Sequence, residues 1–160
     1  MMYVYLGSIN IVASDKTGTL TQNKMSVMHV VCGTRRIEHG EACKNLYDKG
    51  DVAFTELVRI SAICNKAYFD PETLTLPINQ RKINGDASDT GIMLFAQEFV
   101  DVESTRAVTS KLLEIPFNSK NKWMLNITNE PGRYPSSQST LYMKGAAEII
   151  LSKCSYYLDE

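Results

Sequence analysis

Residues 9–21 read Ile-Asn-Ile-Val-Ala-Ser-Asp-Lys-Thr-Gly-Thr-Leu-Thr, and this stretch decides the fold at the start of the chain. The segment Ile9–Ala13 is mostly β-branched and carries no charge, which predicts a short buried strand. Gly7 and Ser8 precede the strand, and a turn rich in Thr and Gly follows it. Open α/β sheets bind ligands at the carboxyl ends of their strands. We therefore expect Asp15 at a ligand-binding edge.

The turn after this strand has the chemistry of a phosphate site. Gly18 allows a close approach of the backbone, and successive N–H groups and Thr hydroxyls can donate to phosphate oxygens. Asp15 is then the candidate nucleophile for phosphoryl transfer. Its carboxylate is repelled by the phosphate that it attacks, so Mg²⁺ and a nearby cation such as Lys16 are required. The alternative is that this Thr- and Gly-rich segment is an ordinary surface turn.

Thr17 narrows the expected chemistry. Hydrolases built on the same strand and turn usually carry a second Asp at this position, as general acid and base. A Thr hydroxyl does this work poorly at neutral pH. An aspartyl-phosphate at Asp15 is therefore expected to persist long enough to be coupled to another process.

The rest of the chain predicts an antiparallel sheet with packed helices. A hairpin is expected around Gly33-Thr34, and a loop is expected over residues 70–84. The predicted helices are Ala53–Ala67, Asp86–Val100 and Ala146–Leu158, and the predicted strands are Leu112–Phe117, Trp123–Asn129 and Ser139–Lys144, with a polar loop Glu130–Gln138. The fold class is therefore α/β, with this sheet inserted after the first strand of a Rossmann-like domain.

The second half of the chain offers side chains that suit a nucleotide. Phe117 follows a Pro at a strand end and can stack on a base. Lys122 and Lys144 supply cations, and Gly145 lets a ligand approach the backbone. Taken singly, each has an ordinary alternative: Phe117 packs in the core, and the lysines are solvated surface residues.

These motifs together resemble the P-type cation-transporting ATPases. The resemblance rests on the stretch SDKTGTLTQNKM at residues 14–25 and on four later segments. The sequences of these segments are most similar to those of the α-subunits of sodium/potassium and proton/potassium pumps. The later segments are Cys64–Ala67, Gly85–Ser88, Glu114–Ser119 with Asn121-Lys122, and Met143–Ala146. The resemblance implies that residues 1–25 begin a phosphorylation domain. Residues 26–160 would then be a nucleotide-binding domain, incomplete at its C-terminus.

The resemblance also implies roles for individual residues. Asp15 would be the phosphorylated nucleophile with Lys16 beside it, and Asp15 and Thr17 would supply part of a Mg²⁺ shell. ATP would be held by five residues: Asp89, Phe117, Lys122, Lys144 and Gly145. Three residues depart from the family pattern: Asp89 stands where the family has a Glu, Met124 where the nearest members have a Gln, and Ala147 where the family usually has a Pro.

Composition sets the limits of these expectations. A net charge of −1 gives no case for nucleic acid as a partner. No window supplies the roughly 20 apolar residues of a membrane span, so the chain alone is expected to be soluble. The resemblance implies a place on the cytoplasmic face of the plasma membrane, with the remainder of a pump and a β-subunit as partners. It leaves open the transported cation. The alternatives are a nucleotide-binding module without turnover and a free-standing phosphatase.

Overall fold

A computed structural model describes residues 10–11, 13–130 and 138–158, and for Thr17 the backbone alone. The elements in this part of the chain are β1 (His29–Cys32), β2 (Arg35–Glu38), α1 (Glu41–Asp48), α2 (Val52–Ile63), β3 (Tyr68–Phe69), β4 (Ile83–Asn84), α3 (Ala87–Gln97), α4 (Val102–Ala107), β5 (Ser110–Asn118), β6 (Trp123–Asn129), β7 (Thr140–Gly145) and α5 (Ala147–Leu151). The strands form three separate antiparallel sheets, with the orders β1-β2, β3-β4 and β5-β6-β7. Antiparallel sheets with packed helices confirm the predicted fold class.

The opening stretch differs from its prediction. Asn10, Ile11 and Ala13 are not in a strand, and Ile11 exposes 85% of its surface. A strand needs a neighbour for its backbone hydrogen bonds, and no described strand pairs with these residues. Ile9 and Val12 lie outside the described residues. The motif that follows forms a single π-type turn over Lys16–Leu20, closed by the Thr21 N–H donating to the Lys16 carbonyl over 3.2 Å.

The predicted hairpin is confirmed and forms one side of the main core. Cys32 pairs with Arg35, so Gly33 and Thr34 make a two-residue turn between β1 and β2. Side chains that alternate along the two strands are buried, among them Val30 and Ile37. They pack with the aromatic side chains of α2 and α3. In that cluster the Phe54, Phe95 and Phe99 rings meet edge to face, with centroids 5.2–6.1 Å apart.

Helix α2 is shorter than predicted. It begins after Asp51, whose carboxylate accepts the Phe54 N–H over 2.9 Å, and ends at Ile63 rather than Ala67. Residues 64–67 leave the helix because side chains satisfy their backbone groups: Asn65 Oδ1 accepts the Ala67 N–H, and Arg106 donates to carbonyls on both sides of the turn. We call residues 64–67 the α2 exit loop.

Helix α3 begins where it was predicted, after Asp86, which accepts the Asp89 N–H over 2.9 Å. It ends at Gln97, and the short helix α4 starts anew after Asp101, which caps it through Ser104. The predicted loop 70–84 is confirmed as mainly irregular. It contains two short 3₁₀ turns and ends in the two-residue strand β4, which pairs with β3 just before the loop.

The sheet β5-β6-β7 packs on α2 through one face only. Met124, Asn126 and Thr128 of β6 are buried on this face, where Met124 contacts Ile63 and Cys64. The opposite face carries Leu113, Ile115 and Leu141, which expose 49%, 38% and 56% of their surface. β5 is an edge strand, and each of its residues is at least partly exposed.

The C-terminal helix is shorter than predicted. α5 ends at Leu151, and the Tyr156 and Tyr157 side chains are 91% and 80% exposed. A short helix is stable in water only when tertiary packing supports it, and these residues have no such support. Most of the predicted loop Glu130–Gln138 lies outside the described residues. Among the residues that the structure describes, no helix has the length and apolar character to cross a membrane.

The cap of α2 leads to a prediction for stability. Asp51 also accepts a hydrogen bond from Arg35 over 2.8 Å, so Asp51→Ala should lower the free energy of unfolding by about 1–2 kcal/mol. Urea denaturation followed by circular dichroism measures this loss. Asp48→Ala is the matched control, because Asp48 is exposed and caps no helix; it should change stability by less than about 0.5 kcal/mol.

The same contacts give the cap a pH dependence. The hydrogen bonds from Arg35 and from the Phe54 N–H hold the pKa of Asp51 below its ordinary value of 3.8. The stabilisation is therefore complete above about pH 4 and is lost as the pH falls through the lowered folded-state pKa. The stability difference between the wild type and Asp51→Ala should shrink in that acid range. A difference that stays constant down to pH 2 would contradict this assignment.

Candidate functional site

One end of the sheet β5-β6-β7 brings together four of the predicted site residues. The turn between β5 and β6 is closed by the Lys122 N–H donating to the Asn118 carbonyl over 2.6 Å, which places Phe117 and Lys122 at this end. Trp123 pairs with Gly145 and Met124 pairs with Lys144, so the end of β7 lies beside the start of β6. The antiparallel register therefore gathers residues that are distant in sequence.

Asp89 joins this group from the first turn of α3. Its Oδ1 accepts a hydrogen bond from Lys144 Nζ, and its Oδ2 accepts the Lys66 N–H over 2.8 Å. Both side chains are largely buried, with 10% of Asp89 and 19% of Lys144 exposed. The carboxylate is thus committed to Lys144 and to the α2 exit loop. An anionic ligand that binds Lys144 would therefore share the positive charge of the Lys144 ammonium with the Asp89 carboxylate.

Gly145 is required by the packing of the sheet. A Cβ at this position would overlap the Lys122 carbonyl oxygen and would lie 2.8 Å from the Trp123 Cα. The neighbouring strand therefore occupies the space that the missing side chain leaves. The sequence suggested that a ligand uses this space, and the structure gives the glycine a second reason. The Lys122 carbonyl also accepts the Ala146 N–H over 2.9 Å, which fixes the same close approach.

Phe117 and Lys122 face solvent. Phe117 exposes 56% of its surface, so the alternative that it packs in the core is wrong. Lys122 is exposed and has a φ of 60°, in the left-handed region that residues with side chains seldom adopt. Its backbone is held on both sides by the hydrogen bonds to Asn118 and Ala146. An exposed ring and a cation on a fixed turn are what a flat, anionic ligand requires.

Met124 does not line this surface. It exposes 1% of its area and packs with Ile63, Cys64 and Tyr142 under the sheet. The Cys64 thiol lies in the same cluster and donates to the Tyr142 carbonyl over 3.6 Å. Burial raises the pKa of this thiol to about 11. Met124 therefore contributes to the core rather than to ligand contacts.

A cleft of about 480 Å³ lies beside the site, and the predicted residues do not line it. Its walls include Lys66, Arg106, Lys111 and Glu114. Glu114 pairs with Lys66 over 2.8 Å and with Lys111 over 2.5 Å, and these hydrogen bonds lower the pKa of the Glu114 carboxyl. Each lysine therefore already has a carboxylate partner. The sequence motifs included Lys66 and Glu114, but their pairing across the cleft was not predicted.

The motif at Asp15 is not joined to this group by any contact in the described structure. Asp15 and Lys16 are exposed, and no described hydrogen bond or ion pair connects them to Asp89, Lys122 or Lys144. The segment leaving the motif does reach α3, because Ser88 Oγ lies 3.4 Å from Met25 Sδ. The segment that follows the motif therefore contacts α3, the helix that carries Asp89, but the described part of the motif itself does not.

The described residues do not form a closed metal site. No group of three or more His, Cys, Asp or Glu side chains converges among them. Mg²⁺ commonly binds through one or two carboxylates and substrate phosphates, with water completing its shell. The single exposed carboxylate of Asp15 and the Thr17 carbonyl fit a part of such a shell, with phosphate oxygens as further ligands.

The amino-acid sequence of this chain is similar to those of known proteins. A sequence model described as P-type ATPase, cytoplasmic domain N, matches residues 53–160. The potassium-transporting ATPase alpha chain 2 of Oryctolagus cuniculus is 42% identical over 156 residues, which cover 94% of this chain and 14% of the relative. The sodium/potassium-transporting ATPase subunit alpha-A of Artemia franciscana is 39% identical over 158 residues, covering 96% of this chain and 16% of the relative.

A third relative agrees with these two. The sodium/potassium-transporting ATPase subunit alpha of Hydra vulgaris is 38% identical over 161 residues, which cover 96% of this chain and 15% of the relative. The chain thus spans 14–16% of the length of these curated relatives. The similarity extends through both the motif at Asp15 and the sheet end at Lys144.

Proposed function

This chain belongs to the P-type ATPase family, and we propose that it is the ATP-binding and phosphorylation-motif region of a cation-transporting pump. The observation that carries the proposal is the match of residues 53–160 to the cytoplasmic domain N of this family. The gathering of Asp89, Phe117, Lys122 and Lys144 at one end of a sheet supports it, because ATP requires both an aromatic surface and cations.

Each residue at the sheet end has a proposed role in holding ATP. The exposed face of Phe117 stacks on the adenine, and Lys122 meets the phosphates from its fixed turn. Lys144 contributes a cation whose position is set by Asp89, and Gly145 keeps the strand ends close enough to hold both lysines together.

The second part of the proposal concerns phosphoryl transfer at Asp15. A carboxylate oxygen of Asp15 attacks the γ-phosphorus, the bond from the γ-phosphorus to the bridging oxygen breaks, and ADP leaves with that electron pair. Lys16 offsets negative charge beside the nucleophile. Asp15 and the Thr17 carbonyl would hold part of a Mg²⁺ shell, and the ion would supply neutralisation of charge on the phosphate oxygens. Thr17 supplies no carboxylate for rapid hydrolysis, so the aspartyl-phosphate persists.

The chain by itself has an alternative function, that of a nucleotide-binding module without turnover. The exposure of Asp15 and the lack of a described contact from it to the sheet end favour this alternative, since phosphoryl transfer depends on positioning. In the pump, further domains would complete the site. We propose those domains, and a β-subunit, as partners at the cytoplasmic face of a plasma membrane. Nucleic acid is not among the proposed partners.

Removal of the Phe117 ring tests ATP binding. Phe117→Ala should weaken ATP binding about tenfold, because base–aromatic stacking contributes about 1–3 kcal/mol. Isothermal titration calorimetry of the chain with ATP measures the change. The fold should be unaffected, since the side chain is 56% exposed.

Leu112→Ala is the matched control for Phe117→Ala. Leu112 lies on the same strand and is 57% exposed, but it is at the opposite end of β5 from the lysines. Its replacement should leave the ATP dissociation constant unchanged. Equal effects of the two substitutions, or no heat of binding from the wild type at millimolar ATP, would contradict the proposal.

A further inference from the structure

Arg106 of α4 holds the α2 exit loop in place. Its guanidinium donates to three carbonyls: Nε to Ala62 over 2.8 Å, Nη1 to Ala67 over 2.7 Å and Nη2 to Asn65 over 3.3 Å. The Ala62 carbonyl belongs to the last turn of α2, where carbonyls have no partner within the helix. A cation at this helix end is also favoured by the helix dipole. One side chain thus determines how the chain leaves α2.

The exit loop in turn holds Asp89. The Lys66 N–H donates to Asp89 Oδ2 over 2.8 Å, and Asn65 Nδ2 donates to the Asp89 carbonyl over 2.9 Å. The other carboxylate oxygen of Asp89 binds Lys144 Nζ. A continuous series of hydrogen bonds therefore runs from Arg106 through the loop to Asp89 and Lys144. Burial lowers the pKa of the Arg106 guanidinium, while the Glu103 and Asp89 carboxylates raise it, so Asp89 is within electrostatic reach.

We propose that Arg106 is a positioning residue for the nucleotide site, acting through the exit loop on the Asp89–Lys144 pair. This inference rests on the proposed binding of ATP at the end of β7. Arg106 does not need to touch the ligand for this role. It sets the position of the Lys66 N–H, which orients the Asp89 carboxylate, which in turn orients the Lys144 ammonium.

A lysine cannot replace Arg106 in this role. The guanidinium is planar and presents its donors in a fixed fork, so it can bind three carbonyls of one turn at once. An ammonium keeps the charge and its attraction to the helix end but is a point donor on a flexible stem. Arg106→Lys therefore removes the fixed arrangement of the guanidinium donors but keeps the positive charge.

The test compares Arg106→Lys with Arg59→Lys in the full chain. Arg59 is a residue of α2 and binds the buried Glu130 carboxylate over 2.6 Å, but no described hydrogen bond connects it to Asp89 through the exit loop. In the absence of ATP, Arg106→Lys should speed the hydrogen exchange of the Lys66 amide at least tenfold. It should also weaken ATP binding about tenfold, the effect of about one charge-assisted hydrogen bond. Arg59→Lys should change neither quantity.

A second background shows whether the effect passes through Asp89. In Asp89→Asn, the further change Arg106→Lys should cause no additional loss of ATP affinity, because the amide no longer forms the ion pair that connects the exit loop to Lys144. An undiminished tenfold loss in this background would overturn the inference. So would unchanged Lys66 exchange in a folded Arg106→Lys variant.

The outcomes separate this inference from the function on which it rests. If Lys66 exchange accelerates in Arg106→Lys while the wild type fails to bind ATP, Arg106 positions Asp89 as proposed and only the nucleotide function fails. If Arg106→Lys does not fold, NMR of the wild type replaces it. The Arg106 Nε–H signal should then shift on addition of ATP while the Arg59 Nε–H signal does not. An Arg106 signal that is unchanged at saturating ATP overturns the inference.

Discussion

Lys144→Met is expected to lower the free energy of unfolding by about 3 kcal/mol. Removal of one partner leaves the Asp89 carboxylate buried without its cation, and such losses typically cost about 3–5 kcal/mol. We expect the lower end of that range because 19% of the Lys144 side chain remains exposed. Met preserves most of the length of the side chain, so the change isolates the charge. Urea denaturation of the chain measures the difference.

Two further variants identify the cause of this loss. Lys144→Met combined with Asp89→Asn should recover most of the stability, because the amide removes the unpaired charge and can still accept the Lys66 N–H. Lys122→Met is the matched control, since Lys122 is exposed at the same end of the sheet. It should change stability by less than about 0.5 kcal/mol. Equal stability of the Lys144 and Lys122 variants would show that the buried pair does not form.

Two of these variants, Lys122→Met and Lys144→Met, separate folding from ligand binding. Lys122→Met should weaken ATP binding without affecting stability, since no described side chain pairs with Lys122. Lys144→Met should affect both, because its ammonium binds Asp89 and, as proposed, also the ligand. The two lysines look alike in the sequence, but the structure pairs Lys144 with a buried carboxylate and leaves Lys122 exposed.

Local signals in the sequence predicted the parts of the fold that local interactions determine. Gly33-Thr34 correctly marked a two-residue hairpin, and Asp86 correctly marked the start of α3. The bounds of β6 were also predicted correctly, because its buried and exposed residues alternate along the whole strand. In each case the residues that decide the structure lie within a few positions of one another.

The predictions failed where distant residues decide the structure. α2 ends before the exit loop because Arg106, which lies 44 residues after Ala62, takes the last carbonyls. The Asp89–Lys144 pair joins residues 55 positions apart and was not predicted, while the contact of Asp89 with ATP stays a prediction. The local sequence also could not predict that Phe117 is exposed, because the same sequence can form an edge strand or a central strand. The candidate residues were therefore identified, but their contacts were not.

Asp15→Asn is expected to abolish covalent labelling of the chain by γ-labelled ATP and Mg²⁺. A carboxamide is a poor nucleophile, so the acid-stable, hydroxylamine-sensitive label of an aspartyl-phosphate should form on the wild type and fall to background in the variant. The fold should not change, because Asp15 is exposed and its carboxylate accepts no described hydrogen bond within the turn. Scintillation counting after acid precipitation measures the label.

Asp48→Asn is the control for this experiment, because it removes an exposed carboxylate outside the motif and should retain the full label. The most informative contrary result is a wild type that binds ATP, as judged by its sensitivity to Phe117→Ala, yet acquires no label. Binding without labelling would mean that the sheet end operates alone and that Asp15 needs residues outside this chain to meet the γ-phosphate. The nucleotide-binding module would then be the correct function for the chain by itself. Since phosphoryl transfer depends on positioning, labelling of the wild type would instead require the exposed motif to approach the sheet end while ATP is bound.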